Sequence, residues 1–434
     1  MDDMINRYLE ELREELCGCA GEIHDLAEPS GEEYQSAEVL CRLLEKYGFD
    51  VERGLPEQPT AFRASYGSEK PVIGFLCEYD ALPGLHNGPG AAYNGNGGYG
   101  HGCGHNLLGV GSAAAGIALK KAIEDKGLKG SVVVYGTPAE ETLEGKTIML
   151  KHGAFRELDA CIAWHPLDRN ECGEVKYKAI ASVEFSFHGK TAHACGSPQL
   201  GRSALDAAEL MSVGCNYLRE HMDRDSFLHY SYLDAGLKPN IVPDFARVWY
   251  YVRAFDFQKL DELLRRVYKV SEGAAMMTET TVEHQVKGYN RETVLNSTLT
   301  DLIYQVMTGI GAPTFTKEEK AFAKAVAENI QETGVTGELV ETIQKPDGRI
   351  FYENGSTDMS DVSHVVPTVN FNTVCYGKNS PNHHWGITAQ TNGSAAYKGM
   401  LFAAGVMAGA GERLICDEAL LQRAKDEFLR GTEC

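Results

Sequence analysis

The sequence contains no run of about 18 consecutive apolar residues, the length that a membrane-spanning helix requires. Its N-terminal segment, MDDMINRYLEELREEL, also lacks the basic and apolar regions that make up a secretory signal peptide. Neither a membrane span nor secretion by this route is therefore expected. The expected compartment is the cytoplasm.

The chain also lacks an excess of positive charge. It has 41 lysines and arginines against 61 aspartates and glutamates, which gives a net charge of −20. Binding to nucleic acid or to an acidic membrane surface is therefore disfavoured as a main role. The twelve cysteines are spread along the chain rather than placed at the spacings of a disulfide framework, so most are expected to be reduced thiols.

The composition is otherwise that of an ordinary globular protein, with 43% hydrophobic and 24% charged residues. A length of 434 residues predicts two domains, or one domain with an insertion. Apolar periodicity predicts helices over residues 4–28, 35–47, 107–125 and 147–155, and strands over residues 71–83, 131–141 and 160–166.

Because helices and strands alternate up to about residue 170, the first part of the chain is predicted to be an α/β domain with a mainly parallel sheet. Residues 180–290 instead give the order β-α-β-β-α-β, which is typical of a small α+β domain of ferredoxin-like topology. We therefore predict a catalytic domain formed by residues 1–179 and 291–434, with residues 180–290 inserted into it.

The segment Gly100–Asn106, GHGCGHN, carries the clearest chemical signal. Cys103 and His105 place a thiol and an imidazole two residues apart in a glycine-rich loop, and both groups bind zinc and similar metals. A buried free cysteine beside a loop histidine would give the same pattern. A Cys-His nucleophilic pair is a further alternative, but two positions in one loop rarely give the geometry that it requires.

Two adjacent carboxylates, Glu140 and Glu141, follow the strand-like segment SVVVYGTPA. A two-metal hydrolase needs one carboxylate as a ligand and another, unligated, to deprotonate the attacking water. Neighbouring residues at the end of one strand can fill both roles. A solvated surface pair is the ordinary alternative.

Further candidates follow other strand-like segments or lie near the C-terminus. His165 follows ACIAW, Asp80 follows GFLCEY, and His383 and His384 are adjacent in PNHHW. Asp80 is suited to hold a metal-binding imidazole by a hydrogen bond. Each residue alone has an ordinary structural explanation, and the choice between the two C-terminal histidines is open. Together they predict a metal-assisted amide hydrolase, because ligands collect at the carboxyl ends of parallel strands.

Much of the chain resembles the metallopeptidase superfamily of aminoacylases and glutamate carboxypeptidases. Within it, the chain is similar to the amidohydrolase branch, in which a Cys-x-His ligand pair replaces the usual aspartate. The matching stretches, between about residues 70 and 400, are GFLCEYDALPG, GHGCGHNLLG, GTPAEE, AWHP, GKTAHACGSPQLGRSALDAAELM, NGSTDMSDVSHVVP and PNHHW. The resemblance implies hydrolysis of N-acyl amino acids or dipeptide-like amides with a free carboxylate, such as p-aminobenzoyl-glutamate.

The same resemblance implies roles for individual residues of the predicted catalytic domain. Glu140 would be the general base, and Asp80 would be the acidic residue that supports a ligand. The ligands of two divalent metal ions, zinc or manganese, would be Cys103, His105, Glu141, His165 and His383.

Three residues of the inserted domain complete the implied set. His193 would reach the active site of a partner subunit and polarise the scissile carbonyl, which Asn240 would help to hold. Arg253 would pair with a carboxylate of the substrate.

The implied assembly is a homodimer, or a heteromer with a related subunit, in which the inserted domain serves dimerisation and acts as a lid. Two alternatives remain open. One is a dipeptidase or deacylase of different specificity, and the other is an assisting subunit that requires a partner chain for activity.

Overall fold

The computed structural model describes residues 4–432. The α-helices are α1 (Met4–Glu11), α2 (Arg13–Leu26), α3 (Tyr34–Lys46), α4 (His105–Lys126), α5 (Gly145–Lys151), α6 (Ala204–Leu218), α7 (Phe257–Thr278), α8 (Ser297–Ile310), α9 (Lys317–Ile330), α10 (Met359–Val362), α11 (Trp385–Thr388), α12 (Ser394–Cys416) and α13 (Glu418–Thr432). The strands are β1 (Asp50–Leu55), β2 (Gln58–Tyr66), β3 (Val72–Cys77), β4 (Ser131–Gly136), β5 (Ala160–Leu167), β6 (Asn170–Glu171), β7 (Glu174–Lys176), β8 (Ala179–His188), β9 (Phe227–Asp234), β10 (Phe245–Ala254), β11 (Thr281–Asn290), β12 (Ile343–Gln344), β13 (Ile350–Tyr352) and β14 (Thr368–Val374).

The chain divides into two compact units. The first comprises the chain up to Val175, Val294–Phe351 and the chain from Val362 onward, and the second comprises Lys176–Thr293 and Tyr352–Asp361. No sequence pattern indicated that Tyr352–Asp361 belongs with the second unit. The carboxylate of Asp361 accepts hydrogen bonds from Asn290 Nδ2 and from the backbone N–H of Arg291, both at 3.1 Å, and so attaches this segment to the end of β11.

The first unit contains a sheet with the strand order β1-β2-β4-β3-β5-β14-β6-β12. The central strands β4, β3, β5 and β14 pair in parallel, which confirms the predicted α/β class. The β1–β2 hairpin extends the sheet through antiparallel pairing of β2 with β4. The sequence analysis did not predict this hairpin, because β1 (DVERGL) is half-buried at most and has no clear apolar alternation.

Helix α4 lies at the centre of the first unit and is buried along most of its length. Its glycines allow close contact with the sheet: a Cβ at Gly111 would lie 2.6 Å from a ring carbon of Trp164, and one at Gly116 would lie 2.5 Å from Val134 Cγ2. Small residues therefore set the distance between this helix and the sheet.

Helix α12 packs against α4. It is long and apolar enough to cross a membrane by length and composition, yet 78% of its most apolar window is buried within the protein. Its position in the core accounts for its apolar composition.

The second unit is formed around an antiparallel sheet of order β11-β8-β10-β9, with α6 and α7 packed on it. Its chain order, β8-α6-β9-β10-α7-β11, confirms the β-α-β-β-α-β pattern of the inserted part. Alternate residues of the central strands form its core, among them Phe185 and Phe187 on β8 and Val248 and Tyr250 on β10.

We predict that Gly111→Ala lowers the free energy of unfolding by about 1–3 kcal/mol, because the new methyl group would overlap the Trp164 ring. The matched control is Gly18→Ala in the exposed face of α2, where nothing lies within 4 Å of the added Cβ. This control should raise the free energy of unfolding by about 0.5–1 kcal/mol. Urea unfolding followed by circular dichroism measures both, and equal stability of the two variants would contradict the close packing of α4.

Candidate metal centre

The loop that carries Cys103 ends at Gly104, which has a φ of +78°. A Cβ at this position would lie 3.1 Å from Pro166, just beyond the predicted ligand His165. Glycine therefore permits both the left-handed turn and the close approach to the end of β5. Helix α4 begins at the next residue, so His105 occupies its first position and is fully buried.

Asp80 fixes the orientation of the His105 ring. The Nδ1–H of His105 donates to Asp80 Oδ1 at 2.9 Å, so Nε2 of the ring faces away from Asp80. The other oxygen, Oδ2, accepts from Ser30 Oγ at 2.8 Å and from the backbone N–H of Glu141 at 3.0 Å. Although burial opposes it, the hydrogen bond and charge of His105 lower the pKa of Asp80 to about 2.

His165 is oriented in a similar way by the backbone. Its Nδ1–H donates to the carbonyl oxygen of Pro166 at 2.8 Å, and its Nε2 lies 3.3 Å from Cys103 Sγ. Burial, followed by the charge of His105, lowers the pKa of His165 to about 4. His165 therefore presents an Nε2 lone pair, the form in which histidine binds metals.

The two adjacent C-terminal histidines have different surroundings. Nε2 of His383 lies 3.4 Å from Glu141 Oε2, and the backbone of His383 has a φ of +52°. Nδ1 of His384 instead accepts the backbone N–H of Gly386 at 3.1 Å, which caps α11. The structure thus brings His383, and not His384, to the predicted ligands.

The predicted ligands form two groups with one residue in common. Ligand atoms of Cys103, His105 and His165 lie within 4.8 Å of one another, as do those of Cys103, Glu141 and His383. Cys103 therefore has the placement of a ligand that two ions could share. A third group of the same dimension contains His105, the predicted base Glu140 and a further acid, Glu78.

Glu78 and Lys146 are site residues that the sequence analysis missed. Glu78 Oε2 lies 3.5 Å from His105 Nε2, and Glu78 Oε1 lies 2.7 Å from Nζ of the fully buried Lys146. The spacing of Glu78 and Asp80 was an available signal, since residues two apart at the end of a strand lie on the same face. The ion pair of Lys146 with Glu78 had no comparable sequence signal, because a lysine in a short helix is ordinarily solvated.

The surroundings of this centre fit divalent cations. His105 Nε2 and Glu141 Oε1 are buried without a hydrogen-bond partner, and burial raises the pKa of Glu141 and of the Cys103 thiol. Buried groups of this kind are costly unless a charge of opposite sign satisfies them. A divalent cation would satisfy the open atoms and would favour the thiolate and carboxylate forms.

His193 and Asn240 belong to the second unit, where their loops are adjacent. The backbone N–H of Ala194 donates to Asn240 O at 3.1 Å. Nδ1 of His193 accepts the backbone N–H groups of Cys195 at 3.3 Å and of Gly196 at 3.0 Å. The proton of the neutral ring is therefore on Nε2, and the exposed His193 presents an N–H donor.

Arg253 lies near the opposite end of β10 from this pair of loops. Its guanidinium lies over the ring of Tyr251 at 5.2 Å, and its Nε is buried without a hydrogen-bond partner. From Phe245 to Arg253 the strand extends about 26 Å, at ~3.3 Å per residue. The structure therefore brings His193 and Asn240 together but not Arg253.

Comparison with known proteins places these residues in a family. The model of Peptidase family M20/M25/M40 matches residues 74–402, a range that includes every residue of the metal-centre groups. A subunit of the p-aminobenzoyl-glutamate hydrolase of Escherichia coli K12 is 38% identical, covering 99% of this chain and 95% of that protein. The Xaa-Arg dipeptidase of Homo sapiens is 30% identical, covering 97% and 90%.

A solved structure supports the fold. The structure of a dinuclear metal-binding peptidase of the M20 family from Bacillus subtilis aligns with a TM-score of 0.54 at 17% identity, covering 93% of this chain and 98% of that one. The family match and the full-length relatives confirm the hydrolase function that the sequence predicted. The chain belongs to Peptidase family M20/M25/M40 and is a metal-dependent hydrolase of amide bonds.

Proposed function

We propose that this hydrolase uses two divalent cations held by the predicted ligands, with Glu140 as the general base. The observation that carries the proposal is the convergence of two ligand groups on Cys103, with the carboxylate of Glu140 in the adjoining group. The proposed ligands are Cys103, His105, Glu141, His165 and His383. Thiolate and imidazole ligands favour zinc, and the carboxylates are also compatible with manganese.

Glu140, His193 and Asn240 have different proposed roles in hydrolysis. A bound cation pair supplies Lewis acidity, which eases deprotonation of water and polarises the amide carbonyl. Glu140 takes the proton of the attacking water and transfers it to the leaving amine. The Nε2–H of His193 stabilises the negative charge that develops on the carbonyl oxygen, assisted by Asn240.

The substrate that we propose is an N-acyl amino acid with a free carboxylate, p-aminobenzoyl-glutamate first among them. The name of the 38% identical relative supports this choice. A dipeptide is the second candidate, supported by the name of the 30% identical dipeptidase. Both substrates carry the carboxylate that Arg253 would bind. Comparing kcat/KM for p-aminobenzoyl-glutamate with kcat/KM for a panel of dipeptides decides between them.

We also propose a homodimer formed through the second unit. On α6, Leu210, Val213 and Tyr217 form an exposed apolar stripe, with Tyr217 70% exposed. The neighbouring β9 is an edge strand with exposed Tyr230 and Tyr232, and its unpaired edge can accept a second copy. An exposed apolar face of this kind on an edge strand and helix is suited to association.

The positions of the catalytic candidates in the second unit also favour a dimer. One dipeptide-sized molecule cannot contact both Arg253 and His193 of the same copy, because the loop of His193 pairs with residues just before Phe245, about 26 Å along β10 from Arg253. In a dimer, Arg253 and the partner copy's equivalent of His193 can serve one site. A heteromer is the alternative, suggested by a relative that is named as a subunit.

We propose the cytoplasm as the compartment. Within residues 4–432 the cysteines have free thiols, as expected in a reducing compartment. Fractionation of the native host with an antibody to the chain tests this assignment.

We predict that Glu140→Gln lowers kcat by about 10²–10⁴-fold, because the amide cannot accept the proton of the attacking water. The bound metal should remain near the wild-type level, since the ligand set is intact. Turnover of p-aminobenzoyl-glutamate and dipeptides, with metal content by mass spectrometry, measures both. Full turnover by the metal-loaded variant would exclude Glu140 as the base, and an inactive wild-type single chain would favour the assisting-subunit alternative.

We predict that His383→Ala weakens metal binding and reduces turnover, whereas His384→Ala leaves both near the wild-type level. The adjacent position is a matched control, because His384 makes a capping hydrogen bond that is worth about 1 kcal/mol of stability. Competition with a chromogenic chelator measures zinc affinity. Stronger metal loss in the His384 variant would reverse the ligand assignment.

We predict that two inactive variants, Glu140→Gln and His193→Ala, regain turnover when they are unfolded and refolded together. A mixed dimer has one site with both functional residues, so random pairing should give roughly a quarter of the wild-type rate. Each variant refolded alone is the control. If the mixture stays as inactive as its components while it is dimeric, His193 does not act across subunits.

A further inference from the structure

The turn that carries Glu140 has a strained backbone. Ala139, directly before Glu140, has a φ of +57°, and Leu143 has a φ of +64°. Left-handed conformations of residues other than glycine cost about 1–2 kcal/mol each and persist only where the surroundings enforce them. The conformation of this turn therefore depends on contacts from other parts of the chain.

Two buried carboxylates hold alternate backbone amides of the turn. Glu33 Oε1 accepts the N–H of Ala139 at 2.8 Å, and Asp80 Oδ2 accepts the N–H of Glu141 at 3.0 Å. The two bonds are on either side of Glu140. Asp80 was predicted as a support of the ligands, whereas nothing in the sequence analysis pointed to Glu33.

Glu33 is itself firmly held. Its side chain is completely buried, Oε1 also accepts the N–H of Gly31 at 2.8 Å, and Oε2 accepts the hydroxyl of Thr60 at 2.9 Å. Thr60 belongs to β2, so the position of Glu33 is fixed by the sheet. Burial, followed by the charge of Asp80, raises the pKa of Glu33 to about 7. Burial of such an acid costs free energy, so a structural role is needed to account for its presence.

We propose that Glu33 is a positioning residue for the general base: its bond to the amide of Ala139 sets the backbone conformation from which the Glu140 carboxylate reaches the water. The inference rests on the proposed role of Glu140. The necessary feature is an acceptor at Oε1, not the negative charge. Glutamine retains that acceptor, and the Thr60 hydroxyl can rotate to accept from its amide N–H.

The test compares Glu33→Ala, Glu33→Asp, Glu33→Gln and Thr60→Val. Alanine removes the bond to Ala139, and aspartate is one methylene too short to keep it. Glutamine keeps the bond, and Thr60→Val is the matched control, because it removes only the bond at Oε2. The measurements are kcat and KM on the amide that the wild type hydrolyses best, zinc affinity by chelator competition, and the thermal unfolding temperature.

We expect the alanine and aspartate variants to lose roughly 10–100-fold in kcat, the cost of a small misplacement of a catalytic group, with KM within about twofold. Zinc affinity should stay close to that of the wild type, because Asp80 still holds the amide of Glu141. The glutamine variant and Thr60→Val should keep kcat within about threefold. If alanine prevents folding, the comparison of aspartate with glutamine decides.

The proposal is overturned if the folded alanine or aspartate variant keeps the wild-type kcat, or if glutamine is as inactive as aspartate. It is also overturned if Thr60→Val lowers kcat as much as these variants do, because the effect would then not be specific to the Ala139 bond. Failure of the proposed function has a different signature: the wild type does not hydrolyse amides, or Glu140→Gln is fully active. In that case the role of Glu33 falls with it.

Discussion

The carboxylate of Asp80 is the interaction on which the metal centre depends. One of its oxygens fixes the tautomer and the direction of His105, and the other holds the backbone amide of Glu141. His105 on α4 and Glu141 after β4 are thereby both positioned by Asp80, which follows β3. These hydrogen bonds fix the positions of the two ligands relative to each other, and such preorganisation lowers the cost of binding a cation in a defined geometry.

The parallel sheet makes this arrangement possible. Strands β3, β4 and β5 are neighbours. The chain leaves β3 at Glu78–Asp80 and β4 at the turn that carries Glu140, and His165 lies near the end of β5. The tight packing of α4 on the same strands brings Cys103 and His105 to that edge. Strand pairing and helix packing thus bring distant parts of the sequence together, and the side chains of the metal centre take no part in either.

This also explains what could be predicted from the sequence. Apolar periodicity indicated the central strands and helices, and residue type with position after a strand-like segment indicated Asp80 and His165. The Cys-x-His spacing in a glycine-rich loop indicated Cys103. The polar β1–β2 hairpin carried no such pattern. Glu78 was signalled only by its spacing from Asp80. Glu33 and Lys146 act through contacts between separate elements, which no local pattern records. His383 and His384 could not be told apart, because adjacent identical side chains differ only in backbone angle and capping partner.

The candidate ligands come from both sides of the insertion: His165 precedes the second unit in the chain, and His383 follows it. A cation bound by His383 together with Cys103 and Glu141, which also precede the second unit, would act as a cross-link that closes a loop through the whole of the second unit. Closing so long a loop removes much of the conformational freedom of the unfolded chain, as a disulfide does. The centre would then be a reversible cross-link as well as a catalyst. The free energy of unfolding of the first unit would rise with the concentration of available metal.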